Sequence, residues 1–219
     1  MNDSELASIF KDLQKKGQIH PSREIKPSPQ QHCSFFSHAP LDGIREILVS
    51  IKLSSSYIGY DRRKIEFLDD KTSRFVLLHE EGHMRYFIDK LDWDDKKIDR
   101  KSIQYTPQLW RENEFKADKY AARGFLTIYP EIDPCETMHM LFEATRKCRE
   151  KHKISPLTKK IQKLWRKLMW GVEDYHPSNE ERIKKIEEYR DEWKNIRAVS
   201  SRRDGDVPGI GAGEQSRSG

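Results

Sequence analysis

His79-Glu80-Glu81-Gly82-His83 places two imidazoles four residues apart around a carboxylate. On a helix, residues i and i+4 lie on one face, so both rings can reach a single metal ion. The intervening Glu80 would then sit beside the metal without ligating it, within reach of a proton on a bound water. With eight His in 219 residues, the HExxH pattern arises by chance about 0.025 times. The pentapeptide therefore needs a further ligand before it carries weight.

Catalytic zinc takes three protein ligands and keeps one position open. Downstream, Glu112-Asn113-Glu114-Phe115-Lys116-Ala117-Asp118 opens a second helical pattern. Glu114 and Asp118 share a face, so Glu114 can supply the carboxylate ligand and Asp118 can accept a hydrogen bond from a ligating imidazole. Ala117, Ala121 and Ala122 are small enough to let two helices approach closely. Glu112 faces elsewhere and reads as solvated.

The elements around these residues follow from periodicity and caps. Residues 3–16 carry an amphipathic pattern (Leu6, Ile9, Phe10, Leu13), and Gly17 to Pro40 holds four of the ten prolines, an extended leader. Residues 44–53 alternate well enough for a strand, with a short helix as the alternative. A hairpin is expected from Ser56–Tyr60, a turn at 61–63, and a return strand over 64–68. Helices are predicted over 72–90, 109–128, 135–151 and 156–169, with a last one after His176-Pro177-Ser178 to about 196. Strands first and helices after give an α+β fold with a small antiparallel β-sheet. The division is 1–40 (N-terminal helix and leader), 41–196 (compact domain) and 197–219 (Gly/Ser/Arg-rich disordered tail).

Composition narrows the classes. Hydrophobic and charged residues each make up 35%, with a net charge of +5. The chain has no apolar run near the ~20 residues of a membrane span, and its N-terminus lacks a signal-peptide pattern. Cys33, Cys135 and Cys148 form no CxxC pair, so a reducing, cytoplasmic location is expected. Cys33, in the leader, would be able to cap an open metal position and hold the site latent. Residues 144–170 are strongly basic and can contact nucleic acid or an anionic surface; a helix with a solvated basic face is the favoured reading.

HEEGH, EFKAD and His176-Pro177-Ser178-Asn179-Glu180-Glu181-Arg182 together resemble, in order, the HExxH, ExxAD and HPxxxxR motifs of gluzincin metallopeptidases. The similarity is greatest to the soluble minigluzincins, relatives of the CAAX-prenyl-protease and HtpX-type membrane enzymes. The motifs cover about seventeen residues spread over 79–182. The resemblance implies a mainly helical zincin-type domain, built on an active-site helix and a glutamate helix, with one Zn2+ per chain. It implies His79, His83 and Glu114 as ligands, Glu80 as general base and Asp118 as a support. It also implies hydrolysis of a peptide or protein substrate. His176 is expected to donate to the oxyanion, and Arg182 to brace the acidic network at Asp118. The polar segment Ser56, Tyr57, Ile58, Gly59 is the expected edge strand for pairing with an extended substrate. The missing membrane helices argue against prenylated substrates.

HEEGH with ENEFKAD also resembles the ImmA/IrrE-type peptidases that cleave repressors; HPSNEER favours the first family. From a different class, the chain could instead be a non-enzymatic module using 144–170 on nucleic acid.

Overall fold

The computed structural model describes residues 1–28, 35–38, 57–86, 96–97, 107–152, 177–189 and 192–193. The strand expected over 44–53, the helix over 156–169 and the tail lie outside them.

Helix α1, Asp3–Lys15, starts at a capping box in which Asn2 Oδ1 accepts from the Glu5 amide and the Glu5 carboxylate accepts from the Asn2 amide. Leu6, Ile9, Phe10 and Leu13 follow the i, i+3, i+4, i+7 spacing and are all buried. Gly17, at φ +70°, turns the chain out of the helix. These residues share one hydrophobic cluster with Phe75, Leu78, Phe125 and Met138.

The leader is not merely extended. It supplies two of the three strands: β1 (Glu24–Pro27) and β2 (Phe35–His38) flank β3 (Tyr57–Tyr60). β1 runs parallel to β3 with Ile25 opposite Ile58, and β2 runs antiparallel with Phe35 opposite Tyr60. The expected antiparallel sheet is thus corrected to a mixed one with a parallel pair. The predicted return strand over 64–68 does not form. Asp61 accepts from the Arg63 amide and caps a short helix α2, Arg62–Ile65, so the chain turns helical where the hairpin partner was expected.

Helix α3, Asp70–Met84, begins at Asp69, which exchanges capping hydrogen bonds with Thr72. Every residue from Phe75 to Gly82 is buried, so this is a central helix rather than an amphipathic surface one. β2 and β3 lie against it. Helix α4, Pro107–Ile128, packs along α3. The pair is antiparallel: Leu78 lies beside Gly124, Gly82 beside Ala117, and His83 beside Asn113. Phe75 and Phe125 meet edge to face, centroids 5.8 Å apart. Helix α5, Pro134–Lys151, has Asp133 as cap and proline in its first turn. Helix α6, Asn179–Glu188, opens on a Ser178/Glu181 capping box. The result is a mainly helical α+β chain in which α3 and α4 form the centre.

Candidate metal centre

The antiparallel α3–α4 pair brings His79, His83 and Glu114 together, with ligand-capable atoms all within 4.8 Å of one another. His79 Nε2 is 3.0 Å from His83 Nε2. The Glu114 carboxylate turns one oxygen to each ring, 3.6 Å from His79 Nε2 and 3.5 Å from His83 Nε2. Four-coordinate zinc with bonds of about 2.0–2.1 Å separates neighbouring ligand atoms by roughly 3.3–3.4 Å. The three side chains therefore fit a small divalent ion. Glu80, between the two histidines in sequence, is buried as well.

A hydrogen-bonded His79–Asp118–Arg182 chain stands behind the cluster. Asp118 Oδ1 lies 2.8 Å from His79 Nδ1, which places the ring N–H on Nδ1 and leaves Nε2 turned toward His83 and Glu114. Arg182 of α6 grips the same carboxylate with both arms of its fork, Nη2 to Oδ1 at 2.6 Å and Nε to Oδ2 at 2.8 Å. Arg182 also stacks on Phe142, 5.3 Å from the ring centroid, and its Nη1 is 3.9 Å from Glu114.

The protonation pattern follows from burial and charge. Burial disfavours an Asp118 anion, but the Arg182 guanidinium and the His79 ring overcome it and hold the carboxyl below its ordinary range. Burial likewise opposes a charged His79, yet the adjacent Asp118 carboxylate raises its pKa above the usual value. His83 has no such partner. Burial pulls it down to about 4, against the Glu114 charge, so its ring is neutral at neutral pH.

Two contacts in this site come from residues that the spacing argument did not single out. Asn113 Nδ2 lies 2.7 Å from His83 Nδ1, while the buried Asn113 Oδ1 has no hydrogen-bond partner. A neutral imidazole that ligates through Nε2 carries its proton on Nδ1 and needs an acceptor there. Turning the amide over would supply Oδ1 as that acceptor and leave no orphaned oxygen. Asn113 precedes Glu114 by one residue, about 100° around the helix, so the i, i+4 pattern gave no signal for it. The other contact is Glu81, which is fully buried and meets Arg23 Nε at 3.1 Å and the His20 amide at 3.3 Å. Burial pushes the Glu81 carboxyl up despite Arg23. Gln18 bonds the Gly124 carbonyl at 2.9 Å, and Tyr120 OH donates to the Gln18 carbonyl at 2.6 Å. The segment 18–23 thus fastens both helices that carry the cluster.

The expected substrate strand needs correction. Tyr57, Ile58 and Gly59 lie in β3, which is paired on both sides. Its backbone groups are already used, so β3 offers no edge to a substrate; Ser56 lies outside the described residues. His176, the expected oxyanion donor, and Cys33 lie outside them too. Glu112 is exposed and accepts from Gln108 at 3.2 Å, as a solvated residue would. The basic stretch is described only to residue 152. There Arg146 pairs with Glu143 and Glu150, and Lys151 pairs with Glu66, so these two cations are neutralised locally. Among the described residues no helix is long and apolar enough to cross a membrane.

No family model matches this chain, and neither the curated proteins nor the solved structures give a significant match.

Proposed function

We propose that this chain is a zinc-dependent endopeptidase of the minigluzincin type, acting on peptides or unfolded protein segments. The observation that carries the reading is the convergence of His79, His83 and Glu114, with Asp118 and Arg182 locked behind His79. Two imidazoles and one carboxylate suit zinc and leave a position for water. When bound there, the metal supplies Lewis acidity, lowering the pKa of water toward ~7 and polarising the scissile carbonyl.

The protein's own groups do the rest. Asp118 fixes the His79 tautomer, and Arg182 keeps Asp118 ionised. Glu80 accepts the proton of the attacking water and returns it to the leaving amine. The burial of His79 and Asp118 strengthens the contact between them.

Glu80→Gln separates binding from chemistry. The variant should bind one zinc per chain with wild-type affinity and lose peptide hydrolysis, whereas Glu114→Ala should lose zinc. Full peptidase activity in Glu80→Gln would overturn the assignment.

A further inference from the structure

We infer that the buried Arg23–Glu81 pair is a positioning device for the metal centre: it pins α3 from the side opposite the ligands, so that residues 18–23 and the metal are coupled. The inference rests on the metal site of the proposed function and adds a control over it from a distant part of the chain.

Helix geometry sets the arrangement. At about 100° per residue, His79 and His83 stand roughly 40° apart around α3, and Glu81 stands roughly 180° from the line midway between them. Glu114 and Asp118 meet the ligand side. On the other side, Arg23 Nε meets Glu81 Oε2 at 3.1 Å and the His20 amide meets Oε1 at 3.3 Å. α3 is therefore held by polar contacts on both faces, and a roll of the helix that moves the imidazoles must also break the contacts behind.

The segment that reaches Glu81 is itself fixed. Gln14 of α1 donates to the carbonyls of His20 and Pro21 at 3.2 Å and of Arg23 at 3.1 Å. Tyr120 and Gly124 of α4 hold Gln18, and β1 starts at Glu24, one residue past Arg23. Arg85, one turn after Glu81, closes the group: its Nε lies 3.5 Å from Oε1, and its guanidinium stacks on Tyr120, 5.0 Å from the ring centroid. Contacts around one carboxylate thus tie α1, β1, α3 and α4 together.

Packing alone does not call for charge here. Phe75 to Leu78 are buried and apolar on the same helix, and a leucine at 81 would suit that surrounding. A buried ion pair is a weak stabiliser, because desolvation offsets the attraction, and a well-packed apolar pair does as well or better. What a pair with fixed hydrogen bonds adds is a single orientation. A metal site tolerates only about 0.5 Å or 10–20° of error in its ligands, so orientation is what the cluster needs from α3. The coupling is reciprocal: if the pair improves metal binding, the metal tightens residues 18–23 by the same factor.

The experiment compares the full wild-type chain with Arg23→Met/Glu81→Leu, which removes both charges and keeps a similar volume. The Tm should not fall, while the zinc Kd should rise about tenfold, an ordinary coupling between two sites. Cobalt bound in place of zinc should show altered visible bands, which report ligand geometry. A wild-type Kd and cobalt spectrum in the variant, or a lowered Tm with an unaltered cobalt spectrum, overturns the inference.

Hydrogen exchange on wild type reads the reciprocal effect and decides the matter if the double variant does not fold. Zinc should slow the His20 amide, which bonds Glu81, by about tenfold and leave the Glu5 cap amide of α1 unchanged. Equal His20 exchange with and without bound zinc overturns the coupling. Coupling in a chain that cleaves no peptide would keep the inference and sink the peptidase reading. Peptide cleavage with zinc binding indifferent to Arg23 and Glu81 would do the reverse, and a wild-type chain that binds no zinc overturns both.

Discussion

Gly82 of α3 and Ala117 of α4 approach so closely that a Cβ on Gly82 would lie 2.8 Å from the Ala117 Cα and 3.2 Å from its carbonyl oxygen. Both neighbours are backbone, so neither can rotate aside. The spacing of the two helices is set at this point, one residue before His83, and the same spacing lets Glu114 reach both rings. Gly82→Ala should therefore push the helices apart, lowering stability by about 1–3 kcal/mol. Metal titration should show a Kd raised more than tenfold in parallel with a fall in Tm. Wild-type zinc affinity in folded Gly82→Ala would separate helix spacing from the metal centre.

Asp118 has two dependants. It accepts from His79 Nδ1 and holds the Arg182 fork, and it is itself buried. Asp118→Asn keeps the shape and removes the charge. We expect zinc affinity to fall by ~10–100-fold, the usual loss when an orienting carboxylate is removed. Tm should fall as well, because Arg182 becomes a buried cation without its anion. Competition with a chromophoric chelator and thermal unfolding read the two effects separately.

Asn113 can be tested by its hydrogen bond. With metal on His83 Nε2, the Nδ1 proton should appear as a protected, strongly downfield imidazole signal in proton NMR. Asn113→Leu should abolish that protection and weaken zinc binding about tenfold. A protected His83 signal in Asn113→Leu would assign the acceptor elsewhere.

What the sequence made legible was local. His79 and His83, like Glu114 and Asp118, are one helical turn apart, and one turn is geometry that spacing alone encodes. The caps at Asp133 and Ser178 are local too, and both sit at helix starts that the pattern placed within a residue or two. The sheet was not legible, because pairing joins residues far apart: Ile25 finds Ile58 rather than a neighbour across a turn. The misread hairpin had a local warning in Asp61, a good cap residue, but apolar Ile65, Phe67 and Leu68 also suit a strand. Asn113 and the Arg23–Glu81 pair stayed hidden for one reason: their roles depend on burial by another segment. Glu81 in particular reads as a solvated acid in HEEGH, and only the return of residues 18–23 encloses it.

Lys64 provides a stability prediction with a defined pH window. The residue is 2% exposed, and its Nζ reaches Thr145 Oγ1 and the Leu141 carbonyl. Burial, aided by the positive Arg149, lowers its pKa from 10.5 to about 7. In the unfolded chain the amine binds its proton near the ordinary value, so between about pH 7 and pH 10.5 the unfolded state holds more of this proton than the folded state. Stability from this group therefore rises with pH through that window, and the full penalty applies below it. Lys64→Met keeps the stem buried and removes the charge. Thr145 is not stranded, since its hydroxyl also donates to the Leu141 carbonyl at 2.8 Å. The variant should melt several degrees above wild type at about pH 6, each kcal/mol recovered being ~2–4 °C in a chain of this size. The gap should narrow at about pH 9.5, where Lys64 is already neutral in the folded protein. A pH-independent gap would mean that packing, not the buried charge, distinguishes the two proteins; a lower Tm in Lys64→Met at both pH values would show that the buried amine stabilises the fold.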